Sequence, residues 1–498
     1  MSERNGASGD ERAEWSELER GEGPPRLNLD VSLTAAEIAA ATGGRVVSGD
    51  PQERIAKWSI DSRTVSAGDL FVAIRGDRFD GHEFVTAALA AGAAGVMVAR
   101  TPVLPQAGAG GPAPLVIQVD DTTRALQDAA RDVRRRSGAK VVAITGSAGK
   151  TTTKELTAEF LAAKYTVFRN KGNFNNHIGL PLSLLEPGAA RSDVAVVELG
   201  MNHAGEIRTL VGIAEPDVRV WTNVGDAHMG FFASSDAIAD AKAEILESAR
   251  TGDVLVAGAD DARIRARLGA FAGRTVTFGL SDRADVRASL VEHRGLDGMT
   301  ATITTPRGSA RMHSPLLGTG NLLNLLAAVA VATELGVPLE TIVPRAPTLR
   351  AAAHRGELLR LPGGVTLIDD SYNSSPAALK RSLETVRNAT GSARKIAVLG
   401  EMLELGDHAI RLHEECGWAA AESGLELLIA VGGPPASRLA DAATTSGMPP
   451  GAVVHVATSA EAADVALKKI RPGDLVLVKG SRGIRTDVVV DRLKAEFA

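Results

Sequence analysis

A chain of 498 residues is too long for one hydrophobic core, and its length points to two to four domains. Hydrophobic residues make up 44% and charged residues 23%, the balance of a soluble globular protein, and a net charge of -5 excludes the global basic field that nucleic acid demands. Cys416 is the single cysteine, which excludes an internal disulfide and a cysteine-built zinc site and leaves it a packing or surface role.

In chain order, residues 1–30 are expected to be a disordered tail, because Ser2 to Pro25 offers almost nothing to bury. No apolar signal-peptide core is visible there. The longest uncharged apolar run, Phe84 to Ala99, is broken by Gly92 and Gly95 and reads as a helix followed by a buried strand, not a membrane span. A cytoplasmic protein without membrane insertion is therefore expected. Leu70 to Ile74 and Gly95 to Val98 read as buried strands, and Thr101 to Pro114 as a loop. A second unit opens with the strand Lys140 to Ile144. Apolar strands Val194 to Val197, Val218 to Trp221 and Val254 to Ala257 alternate there with helical segments, the pattern of a mostly parallel sheet covered on both faces. The helix Gly318 to Leu335 closes it. After a short Ala/Arg hinge, strands at Ile396 to Leu399, Leu427 to Ala430, Val453 to Val456 and Leu475 to Val478 mark a smaller doubly wound α/β unit. The expected fold class is α/β in three domains, 31–137, 138–347 and 348–498.

The chemistry starts at Thr145-Gly146-Ser147-Ala148-Gly149-Lys150-Thr151-Thr152, between an apolar strand and a helix. Glycines let the backbone close around phosphate oxygens, and the amides of a helix start favour negative charge. Lys150 would neutralise β- and γ-phosphates, and the Thr151 hydroxyl would complete a Mg²⁺ shell. The strict P-loop spacing asks for glycine where Ile144 stands, so this is a shortened variant.

Glu198 ends the strand Val194 to Val197, where a carboxylate can meet a metal beside the loop. His228 follows the strand Val218 to Trp221, at the sheet edge where ligands bind. Ser235 to Ala249 reads as one helix with Ile238, Ile245 and Leu246 on a single face. Lys242 falls on that face, and its spacing alone favours a lysine whose stem packs on the core while its head reaches water.

Together these segments resemble the Mur ligase family over about residues 31–498. The shared motifs are the TGSxGKTT run at Thr145 to Thr152, Asn173-Phe174-Asn175-Asn176 followed by Gly179-Leu180-Pro181, and Glu198 to Asn202 with Gly205-Glu206-Ile207. Further along come Asp369-Asp370-Ser371-Tyr372-Asn373, Gly400 to Gly406 and Lys479 to Arg482. In the first domain Asp61-Ser62-Arg63, Gly68 to Phe71 and Asp80-Gly81-His82 are similar to the family's uridine-nucleotide module. The resemblance implies a small N-terminal α/β substrate domain, a central P-loop domain and a C-terminal Rossmann-like domain, acting as a monomer.

It further implies that ATP is held by Gly146, Ser147, Ala148, Gly149, Lys150, Thr151, Thr152, Asn321, Asn324, Arg355, Asp370 and Tyr372. Ser62, Arg63, Asn173, Asn175 and Asn176 would bind the other substrates. Mg²⁺ would be held by Thr151, Glu198, His228 and a carbamylated Lys242, and Lys150, Lys242 and His228 would be catalytic. Carbamylation reverses the packing reading of Lys242, since it removes the buried ammonium. Three positions depart from the family pattern: Gly320 replaces a histidine, His354 a glycine and Ser375 an asparagine.

The implied reaction joins D-alanyl-D-alanine to a UDP-N-acetylmuramoyl tripeptide: the peptide carboxylate takes the γ-phosphoryl group of ATP, and the dipeptide amine displaces phosphate from the acyl phosphate. Three domains must converge for this, so closure about a hinge near Leu349 to Arg355 is expected. The missing Asp-Asn-Pro-Arg motif argues against the diaminopimelate-adding branch. The module Asp61 to His82 with Gly205 to Ile207 argues against a folylpolyglutamate-synthase-like enzyme, and the lack of Asn-Lys-x-Asp against a GTP-driven switch.

Overall fold

A computed structural model of the chain describes residues 32–76, 78–100, 113–226 and 229–498. The expected tail, His228 and all but the last two residues of the Thr101 to Pro114 loop lie outside the described residues. The chain divides into two compact units, one taking in residues up to 139 with 181–194 and 332–338, the other the remainder.

The first unit holds a five-stranded sheet of β1 (Arg45–Ser48), β2 (Lys57–Ser59), β3 (Asp69–Val72), β4 (Gly95–Val98) and β5 (Leu115–Gln118), in the order β1-β5-β4-β3-β2. Strands β2 to β5 run parallel and β1 pairs antiparallel with β5. Strand β4 matches its expected span. Strand β3 stops two residues short of expectation because the Ile74 amide turns back to the Val72 carbonyl at 2.9 Å, a three-residue turn that leaves the ladder. The helix expected before β4 is present as Val85–Ala90.

In the second unit the central sheet comprises β6 (Lys140–Thr145), β7 (Val167–Arg169), β8 (Val194–Glu198), β9 (Val218–Trp221), β10 (Val254–Gly258), β11 (Arg274–Gly279), β12 (Val286–His293), β13 (Met299–Thr305) and β14 (Gly308–Ser314). Their order is β14-β13-β12-β11-β10-β9-β6-β8-β7. Pairings from β6 through β9, β10 and β11 to β12 are parallel, and their core strands are near-continuous Val/Ile/Ala runs, as a sheet buried on both faces requires. Strands β12 to β14 are antiparallel. This extension was not read from the sequence, because its strands intersperse Thr, Ser, Arg, Glu and His among the apolar residues and lack the apolar run.

The smaller sheet holds β15 (Glu357–Arg360), β16 (Thr366–Asp370), β17 (Arg394–Gly400), β18 (Leu427–Val431), β19 (Val453–Val456) and β20 (Asp474–Lys479), ordered β15-β16-β20-β17-β18-β19. All pairings but the β15 edge are parallel. Its residues divide by strict alternation: Ala397, Leu399, Leu428, Ala430, Leu475 and Leu477 enter one core, and Ile396, Val398, Leu427, Ile429, Val476 and Val478 the other. Helices cover both faces. Cys416 is buried in the first of these cores, where burial pushes its thiol up to about 12, so it packs and does not react.

The segment expected as one helix from Ser235 to Ala249 is shorter. Helix Ser235–Ala243, capped by Ser234, passes into a single 3₁₀ turn, Glu244–Leu246, and then into extended chain. Two competing sets of hydrogen bonds end it. The Glu244 carboxylate accepts from the amides of Gly205 and Arg208 at the start of helix Glu206–Ala214, at 2.6 and 3.0 Å. The guanidinium of Arg219 takes the Ile245, Glu247 and Ser248 carbonyls, which a continuing helix would have used. Arg219 is 1% exposed and also pairs with buried Asp253 at 3.1 Å. Arg219→Met should therefore leave three carbonyls unpaired and Asp253 with Arg250 as its remaining cation, lowering unfolding free energy by about 3–5 kcal/mol. Urea denaturation followed by tryptophan fluorescence checks this; a loss below about 1 kcal/mol, the worth of a surface ion pair, would contradict it.

Candidate active site

The loop after β6 is held from behind. The Asn223 side chain accepts from the Ala148 amide at 3.0 Å and donates to the Ala148 carbonyl at 2.9 Å, while its own carbonyl accepts from the Ser147 amide at 3.1 Å. The Thr222 hydroxyl donates to the Ala148 carbonyl, and Ser147 exchanges bonds with Gly225. Two loop amides are thus spent on the scaffold. The amides left for a ligand are those of the first turn of the helix Lys150–Leu161, which helix geometry leaves unpaired.

Two glycines make this packing possible. A Cβ at Gly146 (φ 151°) would lie 1.9 Å from the Thr222 hydroxyl, and one at Gly149 (φ 82°) 2.2 Å from the Asn324 side-chain oxygen. Asn324, on the helix Gly318–Glu334, also accepts from the Thr153 hydroxyl and donates to Asn321 at 3.3 Å.

Glu198 stands at the end of β8, 3% exposed, accepting from the Thr151 hydroxyl and from Asn175, each at 2.7 Å. Burial opposes its charge, but the nearby Lys150 charge, the Thr151 bond, Arg355 and Asn175 together hold its carboxyl below the usual range. The Lys150 ammonium donates to the Gly146 carbonyl at 2.9 Å and is lowered from its ordinary value by burial, with Glu198 opposing and Arg355 adding to the shift. Lys242 is 2% exposed and makes no hydrogen bond or ion pair among the described residues. Burial first and the Lys150 charge second push its ammonium well below the lysine range. The spacing argument that put Lys242 on the buried face holds; its reading as a lysine reaching water does not.

The smaller sheet supplies the facing wall. Asp370, at the end of β16, accepts from Lys479 and Ser382, both at 2.8 Å, and buried Lys479 also donates to the Asn373 carbonyl. The Tyr372 ring lies between two guanidinium groups, Arg355 at 4.0 Å and Arg482 at 5.0 Å from its centre. His354 adopts φ 62°, a left-handed conformation that accounts for a glycine being usual there. Its ring compensates by contacting buried Asp369 at 2.8 Å.

Loop, Glu198 and facing wall enclose one cleft of about 410 Å³. It brings together Ser147 to Thr152, Asn173, Asn175, Glu198, Asn321, Asn324, Arg355, Asp370 and Tyr372 from the expected set, together with Ser375. Gly146 supports the loop from beneath. Asn176 is not in the cleft: its side chain accepts from the Ile178 and Gly179 amides and starts the helix Gly179–Leu184. Ser62 and Arg63 belong to the first unit, where the exposed Arg63 forks onto Asp61 at 2.9 and 2.6 Å. The sequence reading missed Asn223 and Thr222 as loop anchors, although the run Thr222 to His228 at a strand end was a signal that polar side chains face the loop.

Three family descriptions match the chain: the Mur ligase family catalytic domain over 54–134, the Mur ligase middle domain over 144–332 and the Mur ligase glutamate ligase domain over 354–482. A UDP-N-acetylmuramoyl-tripeptide–D-alanyl-D-alanine ligase of Bacillus subtilis (strain 168) is 32% identical over 465 residues, covering 93% of this chain and 98% of that one. The chain belongs to the Mur ligase family. Among solved structures, MurF from Acinetobacter baumannii superposes with a TM-score of 0.83 at 31% identity, over 93% of this chain and 99% of its own. MurF ligase from Thermotoga maritima, determined in complex with ADP, gives 0.76 at 29% identity, over 89% and 97%. The three-domain α/β fold of this Mur ligase is thereby shared with enzymes of that name.

The glycine packing gives a direct test. Gly149→Ala must move Asn324 and hold alanine in a left-handed conformation costing about 1–2 kcal/mol. The variant should stay folded by circular dichroism and lose at least about tenfold in ADP affinity by calorimetry, since every 1.4 kcal/mol is tenfold. Unchanged affinity would show that the loop is not the phosphate seat.

Proposed function

We infer that this Mur ligase joins D-alanyl-D-alanine to UDP-N-acetylmuramoyl-tripeptide in an ATP-dependent reaction, giving the UDP-linked pentapeptide used in peptidoglycan synthesis. The observation that carries the reading is electrostatic. Lys150 and Arg355 act on one buried carboxylate, Glu198, and buried Lys242 feels the Lys150 charge, at a helix start whose free amides add further positive potential. Such a cleft favours an anion, and a triphosphate beside a peptide carboxylate fits its size and sign. The relatives that align over nearly the whole chain carry this activity in their names, and the fit of the ADP-bound neighbour supports nucleotide in the cleft.

The residues are assigned roles as follows. Amides from Gly149 to Thr152, with Ser147 and Ala148 shaping the turn, cradle the phosphates, and Lys150 neutralises them. Asn321, Asn324, Arg355, Asp370 and Tyr372 position the nucleotide, Asn173 and Asn175 the peptide end, and Ser62 and Arg63 the UDP group. Asn176 serves the peptide end only through the helix start that it caps. The peptide carboxylate attacks the γ-phosphorus and ADP leaves. The dipeptide amine then attacks the acyl carbon, loses a proton, and phosphate departs. Alignment of the partners contributes roughly 7–11 kcal/mol of barrier reduction in reactions of this kind. Closure about the segment from Leu349 to Arg355 would bring the facing wall onto the nucleotide.

A Mg²⁺ ion fits this donor set. Thr151 and Glu198 already touch, and Lys242 is a buried amine without a counter-ion. With its ammonium disfavoured by burial and by the Lys150 charge, that amine can add CO₂ and release one proton, becoming a carbamate anion that pairs with a cation instead of repelling Lys150. Thr151, Glu198, His228 and carbamylated Lys242 would hold the ion, which when bound supplies charge neutralisation between carboxylate and triphosphate. Reaction on a nucleotide-linked precursor with ATP belongs in the cytoplasm, where both are made.

Purified protein should release ADP with UDP-tripeptide and D-alanyl-D-alanine together, and the product should gain the dipeptide mass. Release driven equally by glutamate would move the chain to another branch. Lys242→Ala should lose at least about a hundredfold in kcat, the scale of a lost electrostatic contribution, and regain part of it with added short carboxylates. An unrescued but folded variant would leave Lys242 a packing residue.

A further inference from the structure

Gly320, the position where the family carries histidine, is not an empty one. It lies in the first turn of the helix Gly318–Glu334, and a Cβ there would stand 3.4 Å from Arg381 Cδ and 3.7 Å from Nη1, ordinary contact distances. The Arg381 side chain, from the helix Pro376–Asn388 on the facing wall, therefore lies along the bare backbone of Gly320, and both line the cleft. Among the described residues its guanidinium has no hydrogen bond and no ion pair. The cleft's other cations are engaged: Lys479 with Asp370, Lys150 with the Gly146 carbonyl, Arg355 and Arg482 against Tyr372. Burial lowers Arg381 from its ordinary value with only the Glu384 charge opposing, so its charge is only partly compensated where it stands. A guanidinium left this way at a cleft wall is a group awaiting a ligand.

Its place along the cleft says which part of the ligand. Asn324 abuts Gly149, at the phosphate end. Gly320 precedes Asn324 by four residues, about one 5.4 Å turn towards the helix start. A nucleotide with its phosphates on the loop and its body along this helix reaches Gly320 with its nucleoside. We propose that Arg381 binds the adenosine part of ATP, its planar group packing on the base in the space that the missing side chain at Gly320 leaves. This rests on the reading of the cleft as the ATP site. The guanidinium suits that task because it is flat, weakly hydrated and attracted to an aromatic face.

Calorimetric titration of the whole protein with ADP and with inorganic tripolyphosphate separates the two ends of the ligand. Arg381→Ala, and Arg381→Met as a variant that keeps the stem, should weaken ADP about tenfold and leave tripolyphosphate within about twofold. KM for ATP should rise by the same factor with kcat retained. Adding Gly320→His to Arg381→Ala should recover part of the ADP affinity. Unchanged ADP affinity in both single variants, or equal weakening of both ligands, would overturn the proposal. Wild-type protein that binds neither ligand would instead overturn the ATP-site reading itself.

Discussion

Buried Lys242 feels the charge of Lys150 at the cleft wall, and a single carboxylate, Glu198, answers Lys150. Nothing about folding requires this. Apolar side chains in place of the two lysines would remove a desolvation cost of several kcal/mol per ion. The arrangement persists because a cation-rich, water-poor cavity is what an anionic nucleophile and a triphosphate need in order to approach each other. The protein carries the electrostatic cost in its empty state, and the substrates relieve it on binding. The hydrogen bonds at Glu198 follow from the same constraint. Thr151 and Asn175 occupy both of its oxygens, so this carboxylate is fixed in place and its charged form favoured.

The fold's contribution is to make such crowding rigid. Strands β6, β8 and β9 end at the same edge of a parallel sheet, and their last residues or following loops bring Lys150, Glu198 and the Asn223 anchor together. Long-range pairs do this work. Asn223 and Ala148 are 75 residues apart, and Thr153 and Asn324 are 171 apart. A flexible loop would have to be ordered at each binding event, whereas one bonded to its neighbours on two sides carries that entropy cost once, at folding. The second parallel sheet repeats the principle at the end of β16 and β20, where Lys479 buttresses Asp370.

What could be read in advance follows the same division. Buried parallel strands announce themselves as apolar runs, so β4, β9 and the core of the smaller sheet were legible almost to the residue. The phosphate loop was legible because its glycines and lysine are contiguous. Long-range partners were not. Asn223 looks like any loop asparagine until β9 is seen beside β6, and Arg219 looks like a solvated residue in a strand until its carbonyl partners from 245 to 248 are placed. Those carbonyls also explain the misjudged helix after Ser235. The apolar spacing continued through Leu246, but a tertiary claim on the backbone overrode the local pattern. Strands β12 to β14 failed for a simpler reason, since polar residues interrupt every apolar run in them.

Two of the three departures from the family pattern, at 354 and 320, are informative because a neighbour answers them. A histidine in a left-handed conformation is strained at 354, yet its ring meets Asp369, 0% exposed, whose other oxygen takes the Ser371 hydroxyl at 2.6 Å. The backbone of 354 also keeps its bond from the Tyr372 amide, so the tyrosine stays between its two arginines. At 320 the loss of a side chain is answered from another helix altogether. In both cases a side chain from elsewhere in the chain meets the departing position: the Asp369 carboxylate at 354 and the Arg381 side chain at 320. A glycine where a ring is usual counts as a mismatch in sequence, although the volume beside it is filled by a guanidinium.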